Sequence, residues 1–161
     1  MSASATTATR TETPAVAAWV RLLRGHAGLV RSLNTDLMHG HGLTINDYEA
    51  LLLLAHAPDG RLRRTDLAQD LILTASGVTR LLDGLEQAGL VEKATCATDG
   101  RVVYAVLTAR GRERLEQASV SHLAAIEELF AERFTSAEVE QLAELLGRLA
   151  GGDTPSCAPP S

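Results

Sequence analysis

Apolar residues recur at helical spacing from Ala15 to about Met38, where Val16, Trp19, Val20, Leu23, Ala27, Val30, Leu33 and Leu37 form a continuous seam. Pro14 suits the first turn of such a helix, and the His-Gly-His-Gly run at 39–42 is expected to break it. A second helix is expected from about Asn46 to Ala57. It is apolar on nearly every side at Leu51–Leu54, which places it at the centre of the core. Thr44, with Asp47 three residues on, has the spacing of a reciprocal helix cap. Pro58-Asp59-Gly60 reads as a turn and Arg61-Leu62-Arg63 as a short extended piece.

The stretch from Arg64 to Gly89 carries two short helical patterns end to end, separated by a break at Ile72–Ala75. Arg64 or Thr65 begins the first, and Thr74 is placed to cap the second. The second has one apolar face (Val78, Leu81, Leu82, Leu85) and an opposite face of Ser76, Gly77, Thr79, Arg80 and Asp83. A helix showing small polar side chains and one cation can lie close against another surface, and a DNA major groove admits a helix of this size. Gly89 is expected to end it in a left-handed conformation.

Two β-prone runs follow, Leu90–Ala94 and Arg101–Leu107, around a polar tip with an Asp99-Gly100 turn; this is a hairpin pattern. Thr108 caps a long helix expected from Ala109 to about Phe134. Thr135 and Glu138 have capping-box spacing before a last helix ending near Ala150. The order defines a mainly α (α+β) fold: a winged helix-turn-helix over residues 44–108 with long N- and C-terminal helices. The compact part can bury a core of its own, so the flanking helices at 14–43 and 109–150 are expected to pair with a second copy as dimerisation helices. Residues 1–13 and 151–161 have no periodic pattern and are expected to be a disordered arm and tail.

Composition narrows the class. The chain has 161 residues, 45% apolar and 22% charged, which suits one sizeable core. No apolar run approaches a membrane span, no secretory signal is expected, and two cysteines (Cys96, Cys157) make no disulfide framework, so the expectation is a cytoplasmic protein without a membrane partner. The net charge of −5 at first opposes a nucleic-acid partner, but its distribution favours one. Residues 61–114 carry nine basic and seven acidic side chains, whereas residues 115–161 carry two basic and eight acidic.

The stretch from Leu43 to Ala118 resembles the multiple-antibiotic-resistance regulator (MarR) family of bacterial transcription factors. The most specific segment is SGVTRLLDGLEQAGLVE (76–92), similar to the family's recognition helix and first wing strand. With it goes the Asp-Gly-Arg…Ala-Val-Leu-Thr-x-x-Gly pattern from Asp99 to Gly111. The resemblance covers about residues 15–150. It implies a homodimer bound to a pseudo-palindromic double-stranded DNA operator, usually as a repressor released by a small ligand or by oxidation.

On that resemblance Thr74, Ser76, Gly77, Thr79 and Arg80 face the major groove, where hydroxyls and a guanidinium reach base edges or phosphates. Gly77 and Gly84 each cost a helix about 1 kcal/mol relative to Ala, which suggests a closely approaching surface. Arg101, beyond Asp99 and Gly100 at the wing tip, suits a narrow minor groove, with Asp99 holding Arg101 or ordering the turn. Arg64 and Thr65 sit where a helix start meets phosphate; Arg61 and Arg63 either support them or are solvated.

For a small-molecule effector, Trp19, Leu23, His26, Val30, Asp47, Tyr48 and Leu51 are the candidate contacts. Trp19 and Tyr48 suit an aromatic or phenolic ligand, although such residues at helical spacing are more often core. No metal and no cofactor is expected. His39-x-His41 lacks further ligands at helical spacing, and around His122 the positions four away are Ala118 and Ile126. Redox sensing is the weaker switch, because the resemblance implies a reactive cysteine in the first helix and Cys96 lies near the wing. Enzymatic function is not expected, as no nucleophile–base pairing, phosphate loop or dinucleotide fingerprint is present. The rival reading is a winged-helix module that binds protein rather than DNA.

Overall fold

The structure, a computed structural model, describes residues 13–96 and 99–150. The expected arm up to residue 12, the expected tail at 151–161 with Cys157, and wing residues 97 and 98 lie outside the described residues. The elements follow the expected order: α1 (Pro14–His41), α2 (Ile45–His56), a single 3-10 turn (Pro58–Gly60), β1 (Arg61–Arg63), α3 (Arg64–Asp70), α4 (Ala75–Gln87), β2 (Val91–Thr95), β3 (Val103–Leu107), α5 (Ala109–Ala131) and α6 (Ser136–Ala150). The chain divides into two compact units, one reaching to Ser32 and one beginning at Leu33. In the first, Val16, Trp19, Leu22 and Leu23 are exposed.

In the second unit α2 is the centre, with Tyr48, Ala50, Leu51 and Leu54 buried among Leu37, Leu67, Val78, Leu82, Leu85, Leu115 and Ala118. Its start is fixed by the expected reciprocal cap: Asp47 N–H donates to Thr44 Oγ1 (3.1 Å), and Thr44 N–H donates to Asp47 Oδ2 (2.8 Å). Asn34 Oδ1 accepts the next amide, Ile45 N–H, at 3.0 Å. The Tyr48 hydroxyl lies 3.0 Å from Ser119 Oγ, which donates onward to the Leu115 carbonyl at 2.7 Å, so the buried phenol has an acceptor.

α1 runs three residues beyond its expected end. The cost of Gly40 inside a helix is only about 1 kcal/mol, and tertiary contacts hold the last turn. Arg114 donates to the His41 carbonyl at 2.7 Å, and the His41 ring meets Ser121 Oγ at 2.6 Å. α5 ends at Ala131, three residues short of expectation. Thr135 and Glu138 then form the expected capping pair of α6, with Thr135 N–H donating to Glu138 Oε2 at 2.8 Å and holding that carboxyl below its usual pKa.

The three strands lie in the order β1-β3-β2, all antiparallel. Leu62 pairs with Ala105 and Lys93 with Ala105 from the other side, on the face toward the helices; Lys93 there bridges Asp83 and Glu86 of α4. Arg63 and Ala94 pair with Tyr104, and Arg61 and Glu92 pair with Val106, on the opposite face.

Helices α3 and α4 both end in the same hydrogen-bonded geometry. At α4, Leu90 N–H reaches the Leu85 carbonyl and Gly89 N–H the Glu86 carbonyl, with Gly89 at φ +71°. At α3, Leu73 N–H reaches Ala68 and Ile72 N–H reaches Gln69, but the left-handed position holds Ile72 at φ +54°, with a side chain 93% exposed. A β-branched residue there is strained and has no burial to offset the strain. Ile72→Gly should therefore raise stability by ~1 kcal/mol, whereas an unchanged or lower denaturation midpoint would contradict that strain. Gly111 is the opposite case. It is buried, and a β-carbon there would collide with the Leu90 carbonyl and approach Leu107 Cδ1 at 2.8 Å. Gly111→Ala should destabilise by about 1–3 kcal/mol despite alanine's better helix propensity; denaturant titration checks this, and no loss would contradict the close packing.

Candidate nucleic-acid interface

α4 is presented by its cap and by its buried stripe. Thr74 Oγ1 accepts the Gly77 amide at 3.1 Å, while Val78, Leu82 and Leu85 are buried and Leu81 is half-buried. The expected apolar face is therefore the one that packs. Ser76 and Arg80 are exposed and Thr79 is half-buried. Thr79 Oγ1 donates back to the Ala75 carbonyl at 2.8 Å, leaving its oxygen able to accept, and Ser76 Oγ lies 3.2 Å from Thr74 Oγ1. Asp83, the alternative partner for Arg80 in sequence, is held by Lys93 instead. Among the described residues no ion pair or hydrogen bond engages the Arg80 guanidinium.

Gly77 has a reason within the helix that its sequence position did not show. A β-carbon there would approach Thr74 Oγ1 at 3.1 Å, so the cap itself favours glycine. At Gly84 nothing lies within 4 Å of such a carbon, and the suggestion of a closely approaching surface applies to that position alone.

Arg64 is the first residue of α3, and Thr65 Oγ1 donates to Asp66 Oδ1 at 3.2 Å. At the wing, Asp99 orders the turn: its Oδ1 accepts the Arg101 amide and its carbonyl accepts the Val102 amide, both at 3.0 Å. Asp99, Gly100 and Arg101 are exposed. Cys96, half-buried, directly follows β2 toward the wing tip, where its amide donates to the Val102 carbonyl at 3.0 Å.

Two features have no signal in the sequence. Arg61 is exposed, and its guanidinium lies over the Tyr104 ring, 4.2 Å from the centroid. A hydrogen-bonding interaction with Arg63, and a second with Arg61, holds the Tyr104 phenol below its ordinary pKa, and the Tyr104 phenol in turn raises Arg63. The second feature is a small cavity of about 120 Å³ lined by Asp36, Leu37, Gly40, His41, Ser121 and His122. His122 is 7% exposed, its ring stands 4.5 Å from that of Tyr48, and its buried Nδ1 has no hydrogen-bond partner.

The expected effector residues fall elsewhere. Asp47 is occupied by its cap, Tyr48 and Leu51 are in the core, and none of the three lines the cavity. Trp19, Leu23 and His26 are exposed and Val30 half-buried in the first unit. Among the described residues no group of three or more His, Cys, Asp or Glu side chains is arranged to hold a metal ion, and no helix is long and apolar enough to cross a membrane.

A capped helix exposed on one side, paired with a preceding short helix and flanked by a β-hairpin, defines the winged helix-turn-helix class of DNA-binding domains. Residues 41–102 match the MarR family, and the chain belongs to this family of DNA-binding transcriptional regulators. It is 34% identical over 110 residues to the Bacillus subtilis HTH-type transcriptional repressor YetL, a match covering 68% of this chain and 65% of that protein. Against the B. subtilis HTH-type transcriptional regulator MhqR it is 35% identical over 123 residues, covering 74% of this chain and 82% of the relative. Among solved structures it resembles AbsC, a MarR family transcriptional regulator from Streptomyces coelicolor, with TM-score 0.75 and 30% identity over 89% of this chain and 97% of that one. It also resembles Sco3205, from the same organism, solved in complex with DNA, with TM-score 0.74 and 30% identity over 88% and 89%.

Burial pushes the His122 imidazole below its ordinary value of 6.5, against a smaller upward pull from Asp36. The unfolded chain thus binds this proton more tightly than the folded one, and stability should fall as pH drops below about 6.5. Denaturant titrations at about pH 5.5 and 7.5 should show a larger loss for the wild type than for His122→Gln; equal losses would contradict the burial of a neutral ring.

Proposed function

We propose that the chain is a homodimeric repressor that binds a pseudo-palindromic operator and releases it on binding a small aromatic or phenolic ligand. The observation that carries the DNA reading is α4: its cap and buried stripe leave Ser76, Thr79 and an unengaged Arg80 outward, beside a wing whose Asp99 turn exposes Arg101. Thr74, Ser76, Gly77, Thr79 and Arg80 meet the major groove. Arg64 and Thr65 contact phosphate, and Asp99 and Gly100 place Arg101 at the minor groove. Residues 44–108 form the DNA-binding domain.

Dimerisation rests on apolar residues left uncovered on the flanking helices, among them Val16, Trp19 and Leu23 on α1, Val120 on α5, and Leu145, Leu146 and Leu149 on α6. A second copy covers them and supplies the second recognition helix. The 14–43 and 109–150 segments are thus the dimerisation region. Repression is supported by the likeness to YetL, an HTH-type transcriptional repressor. For release, the His122 cavity offers an unsatisfied imidazole nitrogen beside the Tyr48 ring, suited to a small ring carrying a hydroxyl; the side chains sketched from α1 and α2 remain candidates for a larger ligand.

On an operator selected from fragments of the source genome, Arg80→Ala and Arg101→Ala should each weaken binding by ~1–3 kcal/mol without unfolding the protein. Wild-type affinity should fall steeply with salt. Unchanged affinities in a gel-shift titration, or a flat salt response, would contradict the assignment.

A further inference from the structure

The outer face of the β-sheet carries a charged arrangement outside the recognition helix and the wing tip. Arg61 is fixed over the Tyr104 ring and Arg63 is the cross-strand partner of Tyr104, so one aromatic residue stands against two exposed arginines. The strand register sets their place. Arg63 is paired with Tyr104, the second residue of β3 and thus close to the wing, and it immediately precedes Arg64, the first residue of α3. The strip therefore runs between two surfaces already assigned to DNA, the wing with Arg101 and the start of α3. Two carboxylates stand nearby: Glu92, across Val106 from Arg61, and Asp66, which acts electrostatically on Arg63 and accepts from Thr65. Neither forms an ion pair with Arg61 or Arg63 among the described residues.

We propose that Arg61 and Arg63, ordered by Tyr104, form a preassembled phosphate-binding site that joins the wing contact to the α3 contact along one DNA backbone. A guanidinium stacked on an aromatic ring keeps its edge donors free, and its planar fork matches phosphate oxygens. Ordering it in advance removes much of the side-chain entropy lost on binding. The contact carries no base information, so it adds affinity without adding specificity. Tyr104 is a positioning residue. This inference rests on the DNA reading above.

The test measures affinity of the full-length chain for its selected operator as salt is varied, with thermal denaturation as a check on folding. R61Q/R63Q should weaken binding at least about tenfold and lower the salt slope by roughly 3.6, since each lost phosphate contact removes about 0.9 from it and the homodimer loses two contacts per subunit. Tyr104→Leu should weaken binding with the slope nearly kept, because both charges remain and only their order is lost. R61K/R63K, which keeps the charges without the planar fork, should behave like Tyr104→Leu. Unchanged affinity and slope in R61Q/R63Q, with binding still lost in Arg80→Ala, would overturn this site and leave the DNA reading standing. A wild-type chain that binds no genomic fragment would overturn both.

Discussion

The orientation of the recognition helix depends on one corner, where the end of α4, the end of β3 and the start of α5 meet. Thr108 Oγ1 donates to the Gly89 carbonyl at 2.8 Å and accepts the Gly111 amide at 2.9 Å, while Thr108 N–H donates to the Leu90 carbonyl at 3.2 Å. A single threonine thus caps α5 and pins the turn that ends α4. The corner closes only because Gly111 lets the α5 backbone come against the Leu90 carbonyl. Lys93, bridging Asp83 and Glu86, ties the first wing strand to α4 from the other side. α4, the first wing strand and the start of α5 are therefore joined by direct contacts at this corner.

That coupling gives the proposed ligand response a physical route. α5 also carries Leu115, Ala118, Ser119 and His122 into the core, where the Tyr48 hydroxyl and ring engage Ser119 and His122. A ligand at the His122 nitrogen would act on the helix whose first turn holds the α4 corner. The coupling requires two arrangements of α5 with different affinity for that ligand. A second copy bound along the flanking helices would set the distance between the two α4 helices, so the same movement would alter both the tilt and the spacing of the pair.

Much of this architecture was legible in the sequence because its signals are local. The Val78–Leu85 stripe, the Thr44–Asp47 and Thr135–Glu138 boxes, Thr74 and Thr108 as caps, and Gly89 as a left-handed stop all act within a few residues, and the structure contains each of them. The errors arose where distant partners decide. The last turn of α1 survives because Arg114 and Ser121, more than seventy residues away, hold His41. Arg61 and Arg63 turn to Tyr104 because of strand register, which no local pattern reveals. Around His122 the local sequence offers only Ala118 and Ile126, and it is the α2–α5 packing that places its ring against Tyr48. Ile72 goes against the usual preference for glycine at a left-handed helix stop, and nothing in the structure explains its retention.

The central claim is that two copies of α4, each locked to its wing through the Thr108–Gly89 corner, read one operator together. Hydroxyl-radical footprinting on a genomic fragment selected by the protein tests it most directly. Two tracts of protected deoxyriboses are expected on one face of the duplex, about one helical turn (~10 bp) or a small multiple apart, with further protection beside each where the wing lies at the minor groove. A single protected tract, or protection without helical phase, would contradict it.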